Sequence, residues 1–269
     1  MPEGDTVFLA GTRLRRALAG ERLTRTEFRV PRYATTDLSG RTLDDVVVRG
    51  KHLLFRIEGG VTLHTHFQMD GTWHLYRPEQ KWRGPSHQVR VILATASWTA
   101  VGFRLPVVDL VPTPDEHEIV GHLGPDPLNE TWDEDEVLRR MGEHPDTAIA
   151  QALLDQSVIA GLGNVYKCEV CYLRGVHPDT PVGEVQDLRE IIRVAARALR
   201  ANRKTGNQIT TGIDRPGKRR WVYGRGGEPC LRCGTPIERM GGGPGEERVT
   251  YWCPHCQARG LDHVPEVGS

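Results

Sequence analysis

The chain reads CLRCGTPIERMGGGPGEERVTYWCPHC over residues 230–256. Two Cys-x2-Cys pairs stand 19 residues apart in this stretch, a spacing that suits four thiolates around one metal ion. Such a closed tetrahedral site is typical of structural zinc, and it organises a small hairpin rather than catalysing a reaction. The pattern therefore predicts a finger with one Zn²⁺ per chain, and four buried thiols without metal are the alternative. The predicted ligands are Cys230, Cys233, Cys253 and Cys256.

The other two cysteines, Cys168 and Cys171, form a third Cys-x2-Cys pair in a stretch with helical apolar spacing. A separation of three places both on one helix face, so we expect core packing and neither metal nor redox chemistry. His64 and His66 alternate on one face of a predicted strand and could be metal ligands. Because no third candidate ligand lies at a spacing typical of a metal site, we interpret them as structural or surface histidines.

Length and composition indicate a soluble protein of about two domains. The chain has 269 residues and a mass of 30.1 kDa, with 38% hydrophobic and 26% charged residues. No uncharged apolar run is long enough to cross a bilayer. The acidic residues Glu3 and Asp5 precede the first basic residue, which is unlike a secretory signal. We therefore expect a cytoplasmic protein whose thiols stay reduced.

The formal net charge is zero, which by itself argues against binding to nucleic acid. The distribution of charge weakens that argument. Twelve acidic and two basic residues lie within residues 109–146, so the rest of the chain carries a surplus of ten basic residues. The stretch 203–225 alone contains seven basic residues and one acidic residue. The net charge of zero therefore hides an excess of basic residues outside residues 109–146.

The periodicity of apolar residues changes twice along the chain. Apolar residues recur with helical spacing over residues 7–18. Over residues 22–111 they recur at every second position, as in a β-strand, in short runs separated by Gly or Pro. Gly59-Gly60 marks a hairpin between two of these runs, and the whole stretch predicts a β-sandwich or barrel. Helical spacing returns over residues 147–203.

Residues near the amino terminus could carry covalent chemistry. Removal of Met1 would expose the secondary amine of Pro2, a competent nucleophile towards a sugar carbon or an aldehyde. The positive end of the following helix disfavours its protonated form, and Glu3 is placed by covalent adjacency to move protons. Lys51, between Gly50 and a predicted strand, would present an ammonium at the edge of the sheet. The alternatives are an ordinary chain start and an ordinary surface lysine.

Residues 161–164, Gly-Leu-Gly-Asn, join two helical runs. The glycines at 161 and 163 allow positive φ and the close approach of backbone amides to a phosphate, and Asn164 adds a side-chain donor. A plain helix hairpin is the alternative.

Four features now stand in order along the chain: Pro2-Glu3-Gly4, Arg49-Gly50-Lys51, Gly161-Leu162-Gly163-Asn164 and the four-cysteine finger. Together they resemble the formamidopyrimidine-DNA glycosylase and endonuclease VIII family of bifunctional base-excision enzymes, over nearly the whole chain. The resemblance implies an α+β fold of two domains: an N-terminal β-sandwich with a flanking helix, then a helix–two-turn–helix module with the zinc finger. It places damaged DNA in the cleft between the domains. The implied bounds are 1–125 for the sandwich, 126–220 for the helix–two-turn–helix module, 221–258 for the finger and 259–269 for a tail.

The resemblance also implies roles for single residues. Pro2 would attack C1′ of the damaged nucleoside, expel the base and form a Schiff base, while Glu3 relays protons at the sugar. Lys51 would contact phosphate and assist β-elimination. Asn164, with the adjacent Gly163, would hold a backbone phosphate.

Two further roles complete the implied site. Arg248 would bind the phosphates that flank the lesion and take part in δ-elimination, which leaves a one-nucleotide gap with phosphate at both ends. Gln68, Met69 and Asp70 would fill the space that an extruded base leaves in the stack, with Met69 as an exposed apolar wedge. A core methionine is the alternative.

Three observations favour oxidised pyrimidines as substrates. Residues 102–106 lack the Arg-Arg-Phe-Gly wedge of the purine branch, and the connection over residues 206–221 leaves little room for the loop that caps 8-oxoguanine there. Gln68 and Met69 resemble the wedge of the endonuclease VIII branch. One alternative is the same chemistry on oxidised purines, and another is a zinc-ribbon DNA-binding protein without catalysis.

The chain departs from the family pattern in three places. Asp5-Thr6 replaces Pro-Glu, Asp70 replaces a bulkier wedge residue, and the glycine insert at 241–245 should lengthen a turn without disturbing the metal site.

A clamp of two domains around DNA needs no symmetry partner. We therefore expect a monomer that is cytoplasmic and associates with the nucleoid when it is bound to DNA.

Overall fold

The computed structural model describes residues 2–241 and 248–259. Met1, whose removal the proposed chemistry requires, and most of the glycine insert lie outside the described residues. The chain divides into two compact units, Met1–His122 and Leu123–Ser269. Among the described residues, no helix is long and apolar enough to span a membrane.

The first unit consists of helix α1, two antiparallel sheets and a short helix, α2. Helix α1 spans Gly4–Leu18 and α2 spans Glu116–Val120. The strands are β1 (Glu21–Arg22), β2 (Arg25–Phe28), β3 (Thr42–Arg49), β4 (His52–Ile57), β5 (Val61–His66), β6 (Thr72–Tyr76), β7 (Val89–Ala94), β8 (Thr99–Phe103) and β9 (Val107–Pro112).

The two sheets share one hydrophobic core, which confirms the predicted N-terminal β-sheets. One sheet has the order β1-β3-β4-β5-β9 and the other has the order β2-β7-β8-β6. Phe55 and Leu63 of the first sheet join Trp73 and Val91 of the second in a single buried cluster. Truncation of a fully buried aromatic such as Phe55 to Ala is expected to cost about 3–5 kcal/mol.

Helix α1 packs closely on the first sheet because its contact face contains a glycine. A Cβ added at Gly11 would lie 2.2 Å from Cγ2 of Val48 and 2.9 Å from Cδ2 of Leu53. No side chain fits at such distances, so Gly11 brings the backbone of α1 against β3 and β4. This contact fixes the start of α1 relative to the β3–β4 hairpin.

The second unit consists of helices followed by a small hairpin. The helices are α3 (Glu134–Gly142), α4 (Ile149–Ala152), α5 (Asn164–Leu173) and α6 (Leu188–Asn202), and the hairpin strands are β10 (Glu238–Met240) and β11 (Thr250–Trp252). Cys168 and Cys171 lie fully buried on α5, which confirms their prediction as core residues. The helical region and the four-cysteine hairpin together confirm the predicted fold.

Candidate functional site

The amino terminus leads directly into α1. Glu3 occupies the position before the first helical residue, and its carbonyl oxygen accepts a 3.0 Å hydrogen bond from the amide of Val7. The side chains of Glu3 and Asp5 are fully buried. A carboxylate is stabilised at this end of a helix, where unpaired backbone N–H groups carry partial positive charge.

Lys51 lies in the two-residue turn between β3 and β4, where Arg49 pairs with His52. Gly50 has φ of +56°, a conformation that suits glycine in so tight a hairpin. Pro2, Glu3 and Lys51 therefore belong to one compact unit, and the Gly11 contact connects their two supporting elements.

The predicted wedge residues form a tight turn after β5. The amide of Gly71 donates to the carbonyl oxygen of Phe67 at 2.8 Å and closes the turn. Nε of Arg104 donates to the carbonyl oxygen of Asp70 at 3.1 Å, so the β8–β9 loop supports it. The side chain of Met69 is 63% exposed, which confirms the predicted exposure and excludes the core alternative.

Sequence reasoning missed a histidine cluster behind this turn. Nδ1 of His52 and Nε2 of His64 lie 2.9 Å apart, and the rings of His52 and His66 are 4.8 Å apart between centroids. His122 lies with its ring centroid 6.5 Å from that of His52. His64 and His66, interpreted above as structural or surface histidines, belong to a cluster that extends to β4. The signal was present in the sequence, because a hairpin centred on Gly59-Gly60 places His52 opposite His66.

The surroundings lower the pKa of three histidines of this cluster, His52, His64 and His66. Burial, and after it the adjacent imidazoles and Lys51, lower the pKa of His52 to about 3. Burial and the nearby Lys51 lower the pKa of His66 to about 4. Burial also lowers the pKa of His64, although Asp109 opposes that effect from 3.6 Å.

In the second unit, the Gly-Leu-Gly-Asn turn is organised by a side chain that the sequence analysis did not assign. Oε1 of Gln156 accepts from the amide of Gly161 at 3.0 Å, and its Nε2 donates to the carbonyl of Leu162 at 2.9 Å. Gly161 has φ of +89°, as expected, whereas Gly163 is extended at −135° and stands at the start of α5. Of the two glycines, only Gly161 therefore needs the left-handed conformation.

Helix α5 holds the finger hairpin through one face. Nδ2 of Asn164 donates to the carbonyl oxygen of Val249 at 2.8 Å, and Nζ of Lys167 donates to Oγ1 of Thr250. One residue further along the helix, Sγ of Cys168 accepts from the amide of Tyr251 at 3.4 Å. These contacts involve three consecutive residues, 249–251, and fix the position of β11 on the helix.

A buried carboxylate on the same helix binds the segment that leads to the finger. Oε1 of Glu169 accepts from the amides of Val222 and Tyr223 at 2.9 and 2.8 Å, and Oε2 accepts from the amide of Trp221 at 2.7 Å. Three amide donors compensate for the burial of this charge. No spacing rule in the sequence identified Glu169, because the backbone amides that it binds lie more than fifty residues away.

Arg248 lies beside a pocket of about 800 Å³ in the second unit. Charged and polar residues around it come from α4 and the segment after it, from α5 and the segment after it, and from the hairpin. They include Gln151, Asp155, Lys167, Asp179 and Thr250. Lys167 is 1% exposed and donates to Thr250; within residues 2–241 and 248–259 it has no carboxylate at ion-pair distance. Its buried charge therefore raises the positive potential at the pocket wall.

The four predicted ligand cysteines converge, with their sulfur atoms all within 4.8 Å of one another. Sγ of Cys230 and Sγ of Cys256 are 4.0 Å apart, and those of Cys233 and Cys253 are 3.5 Å apart. Tetrahedral ligands at the usual Zn–S distance would be separated by about 3.8 Å. The amides of Arg232 and Cys256 each donate to a sulfur at 3.4 Å, which suits thiolate charge. The set fits a tetrahedral metal ion.

The predicted site residues thus fall into two groups. The first unit contains Pro2, Glu3, Lys51 and the wedge turn, and the second unit contains Gly163, Asn164, Arg248 and the cysteine cluster.

Family models match three parts of the chain. A formamidopyrimidine-DNA glycosylase N-terminal domain matches residues 1–106, the H2TH domain of the same family matches residues 123–211, and a zinc finger found in FPG and IleRS matches residues 227–259.

Similar proteins and structures agree with these matches. A probable endonuclease 8 2 of Streptomyces coelicolor is 54% identical, with 96% of this chain and 94% of the relative covered. A DNA-(apurinic or apyrimidinic site) lyase Nei2 of Mycolicibacterium smegmatis is 45% identical, with coverage of 96% and 99%. The Lactococcus lactis Fpg in complex with DNA containing N7-benzyl-Fapy-dG has a TM-score of 0.77 at 24% identity, with coverage of 96% and 100%. The chain is a member of the formamidopyrimidine-DNA glycosylase and endonuclease VIII family.

Proposed function

We propose that this chain is a bifunctional DNA glycosylase and AP lyase of base excision repair that removes oxidised pyrimidines from DNA. The observation that carries the proposal is Pro2-Glu3 at the start of α1, in the same compact unit as the Gly50-Lys51 turn. The relatives support it, because one is named a probable endonuclease 8 and another an AP lyase.

The proposed reaction begins at the imino nitrogen of Pro2. This nitrogen attacks C1′, the N-glycosidic bond breaks, and the departing base takes up a proton. Opening of the sugar ring leaves an iminium bond between the proline and C1′. Loss of a C2′ proton then breaks the C3′–O bond, and a second elimination breaks the C5′–O bond. Glu3, the next residue and fully buried, is proposed to relay the protons at the sugar.

Cationic and polar groups of both units are proposed to bind the phosphates around the lesion. Lys51 serves this role from the first unit, and Arg248 serves it from the wall of its pocket in the second. Asn164, with Gly163, is proposed to hold a further phosphate. One hydrogen of its Nδ2 is used by Val249, so the phosphate would take the other.

The metal in the cysteine cluster is proposed to be one structural Zn²⁺ per chain. Four sulfur ligands leave no open position for a water or a substrate. Zinc would hold the finger together, and the hydrogen bonds from α5 to β11 would place Arg248 on the resulting unit.

The proposed division of the chain is 1–125 for the catalytic sandwich, 126–220 for the helix–two-turn–helix module, 221–258 for the finger and 259–269 for the tail. The contacts of α5 with β11 support joint action of the two later modules in binding damaged DNA. The protein is proposed to act as a cytoplasmic monomer that associates with the nucleoid through DNA.

The test is borohydride trapping of the full chain on an oligonucleotide with one abasic site. Wild type should give a covalent adduct that denaturing electrophoresis resolves, and Pro2→Ala should give none. Intact mass should show that Met1 has been removed. A wild type that binds this DNA but is never trapped would support the non-catalytic zinc-ribbon alternative. A panel of oxidised pyrimidines and purines then separates the two substrate classes.

A further inference from the structure

The wedge turn is held in an unfavourable backbone conformation. Gln68 has φ of +46°, in the left-handed region that residues with a Cβ seldom adopt. The carbonyl of Phe67 and the side chain of Arg104 hold the end of the turn. The start of the turn is held at Gln68 itself, because its amide donates to Nδ1 of His66 at 2.9 Å.

That hydrogen bond determines the chemical state of His66. A ring nitrogen that accepts a hydrogen bond carries no proton, so His66 must be neutral with its proton on Nε2. A protonated ring would place a donor against the donor of Gln68. The neutral state is therefore a condition for the observed conformation of the turn.

The residues near His66 on β4, β5 and β9 favour its neutral state. On β4 the ring of His52 lies across from it, and Lys51 at the end of the adjacent turn adds a positive charge. On its own strand, His64 is buried, and its Nε2 lies 2.9 Å from Nδ1 of His52. On β9 the residue paired with His66 is the apolar Val107, and the nearest carboxylate on that strand, Asp109, faces His64.

We propose that His66 is a positioning residue, whose unprotonated Nδ1 holds Gln68 in the left-handed conformation and thereby presents Met69 for insertion into the DNA stack. This rests on the proposed function of the chain. His66 then matters for extruding a base-paired lesion and matters little for cleaving a site that already lacks its base, where extrusion is easier.

Two conservative variants separate this role from other roles of the same ring. The amide oxygen of Asn lies near the position of Nδ1, whereas the amide of Gln reaches the position of Nε2. Under the proposal, His66→Asn keeps the acceptor for the Gln68 amide and His66→Gln loses it. A residue that acts through Nε2, for example on the DNA, gives the reverse order.

The experiment uses the full chain with its finger intact, in single-turnover assays on a duplex with one oxidised pyrimidine and on a duplex with a preformed abasic site. We expect His66→Gln to slow excision of the paired lesion about tenfold or more, with abasic-site cleavage within about twofold of wild type. His66→Asn should stay within about threefold on both duplexes. Fluorescence of 2-aminopurine next to the lesion should report slower extrusion in His66→Gln only.

A double variant tests the backbone part of the argument. Glycine adopts the left-handed region without strain, so Gln68→Gly should make the turn independent of His66. The His66→Gln effect on excision should then shrink to about threefold or less in the Gln68→Gly background. Borohydride trapping and the thermal midpoint of each variant show that the protein is folded and chemically competent.

Three results overturn the proposal: His66→Gln more active than His66→Asn, equal losses on the two duplexes, or an undiminished effect in the glycine background. An untrappable wild type would instead remove the proposed function, so the two failures are distinguishable.

Discussion

The side-chain amide of Asn164 donates a 2.8 Å hydrogen bond to the carbonyl oxygen of Val249, directly beside Arg248. The oxygen of the same amide is buried and has no hydrogen-bond partner within residues 2–241 and 248–259. Asn164 therefore joins the start of α5 to the hairpin that carries a predicted phosphate ligand. Its position in this contact is set by the turn that Gln156 organises.

Replacement of Asn164 by Ala should weaken DNA binding through the position of Arg248. The carbonyl of Val249 would lose its donor, and we expect a loss of about 1–3 kcal/mol in stability. Titration of a labelled abasic-site duplex should show weaker binding, while zinc content stays at one per chain. Asn207→Ala, which removes an exposed contact with Asp214, is the control and should change neither quantity. Unchanged DNA affinity in Asn164→Ala would contradict the assignment.

Lys167→Met should lower DNA affinity while the fold is retained. Methionine has a similar shape, and replacing a buried charge by an apolar group is often neutral or stabilising. The positive potential beside Arg248 would fall, so we expect affinity to drop about three- to tenfold and the dependence of binding on salt to become less steep. The exposed Lys81 supplies the control, since Lys81→Met removes the same charge outside the proposed site. Equal salt slopes for wild type and Lys167→Met would count against a role for Lys167 in the pocket.

Removal of one cysteine ligand should abolish metal binding, whereas replacement of a buried cysteine outside the cluster should leave the zinc content unchanged. Cys253→Ala is expected to purify without zinc and to lose most of its affinity for DNA, because folding of the finger depends on the ion. Cys171→Ser is the matched control, fully buried on α5 but outside the four-sulfur cluster. Metal analysis by mass spectrometry should find one zinc in Cys171→Ser and in wild type.

Stability should fall as the pH is lowered because the fold disfavours the protonated forms of His52 and His66. The pKa values of His52 and His66 are about 3 and about 4 in the folded chain, against an ordinary value of about 6.5 in the unfolded chain. The unfolded state therefore binds protons first, so the stabilisation is complete above about pH 6.5 and is lost as pH falls towards 4. Urea midpoints at pH 7.5 and pH 5 should show the decrease. His52→Phe removes one titrating ring and should reduce the difference between the two midpoints.

Two glycines in helices should respond oppositely to substitution by alanine. At Gly11 the new Cβ would meet Val48 at 2.2 Å, so we expect a loss of about 1–3 kcal/mol from overpacking. At Gly142, in the last turn of α3, nothing lies within 4 Å, so the helix propensity of alanine should stabilise by about 0.5–1 kcal/mol. Chemical denaturation of both variants measures the two signs. A neutral Gly11→Ala would show that α1 can move away from the sheet.

The sequence by itself determined the features that depend on residues close together in the chain. The two Cys-x2-Cys pairs of residues 230–256 predicted the four-sulfur cluster, since each pair is local in sequence and their spacing suits one metal ion. Gly59-Gly60 predicted the β4–β5 hairpin, and the change of period from helix to strand predicted the order of the modules. The interpretation of residues 68–70 as a wedge predicted that Met69 is exposed.

Only the tertiary structure decided which distant residues meet. Glu169 binds backbone amides of residues 221–223, and Asn164 binds Val249, because packing of the finger on α5 brings together segments that the sequence separates by fifty to eighty-five residues. His66 and Gln68 are close in sequence, but only the structure shows that the half-buried ring of His52 on the neighbouring strand lies against His66. The spacing of motifs and the period of apolar residues can be read from neighbouring positions in the sequence. Whether a buried charge is compensated or a hydrogen-bond donor finds an acceptor depends on which distant residues the fold places beside it.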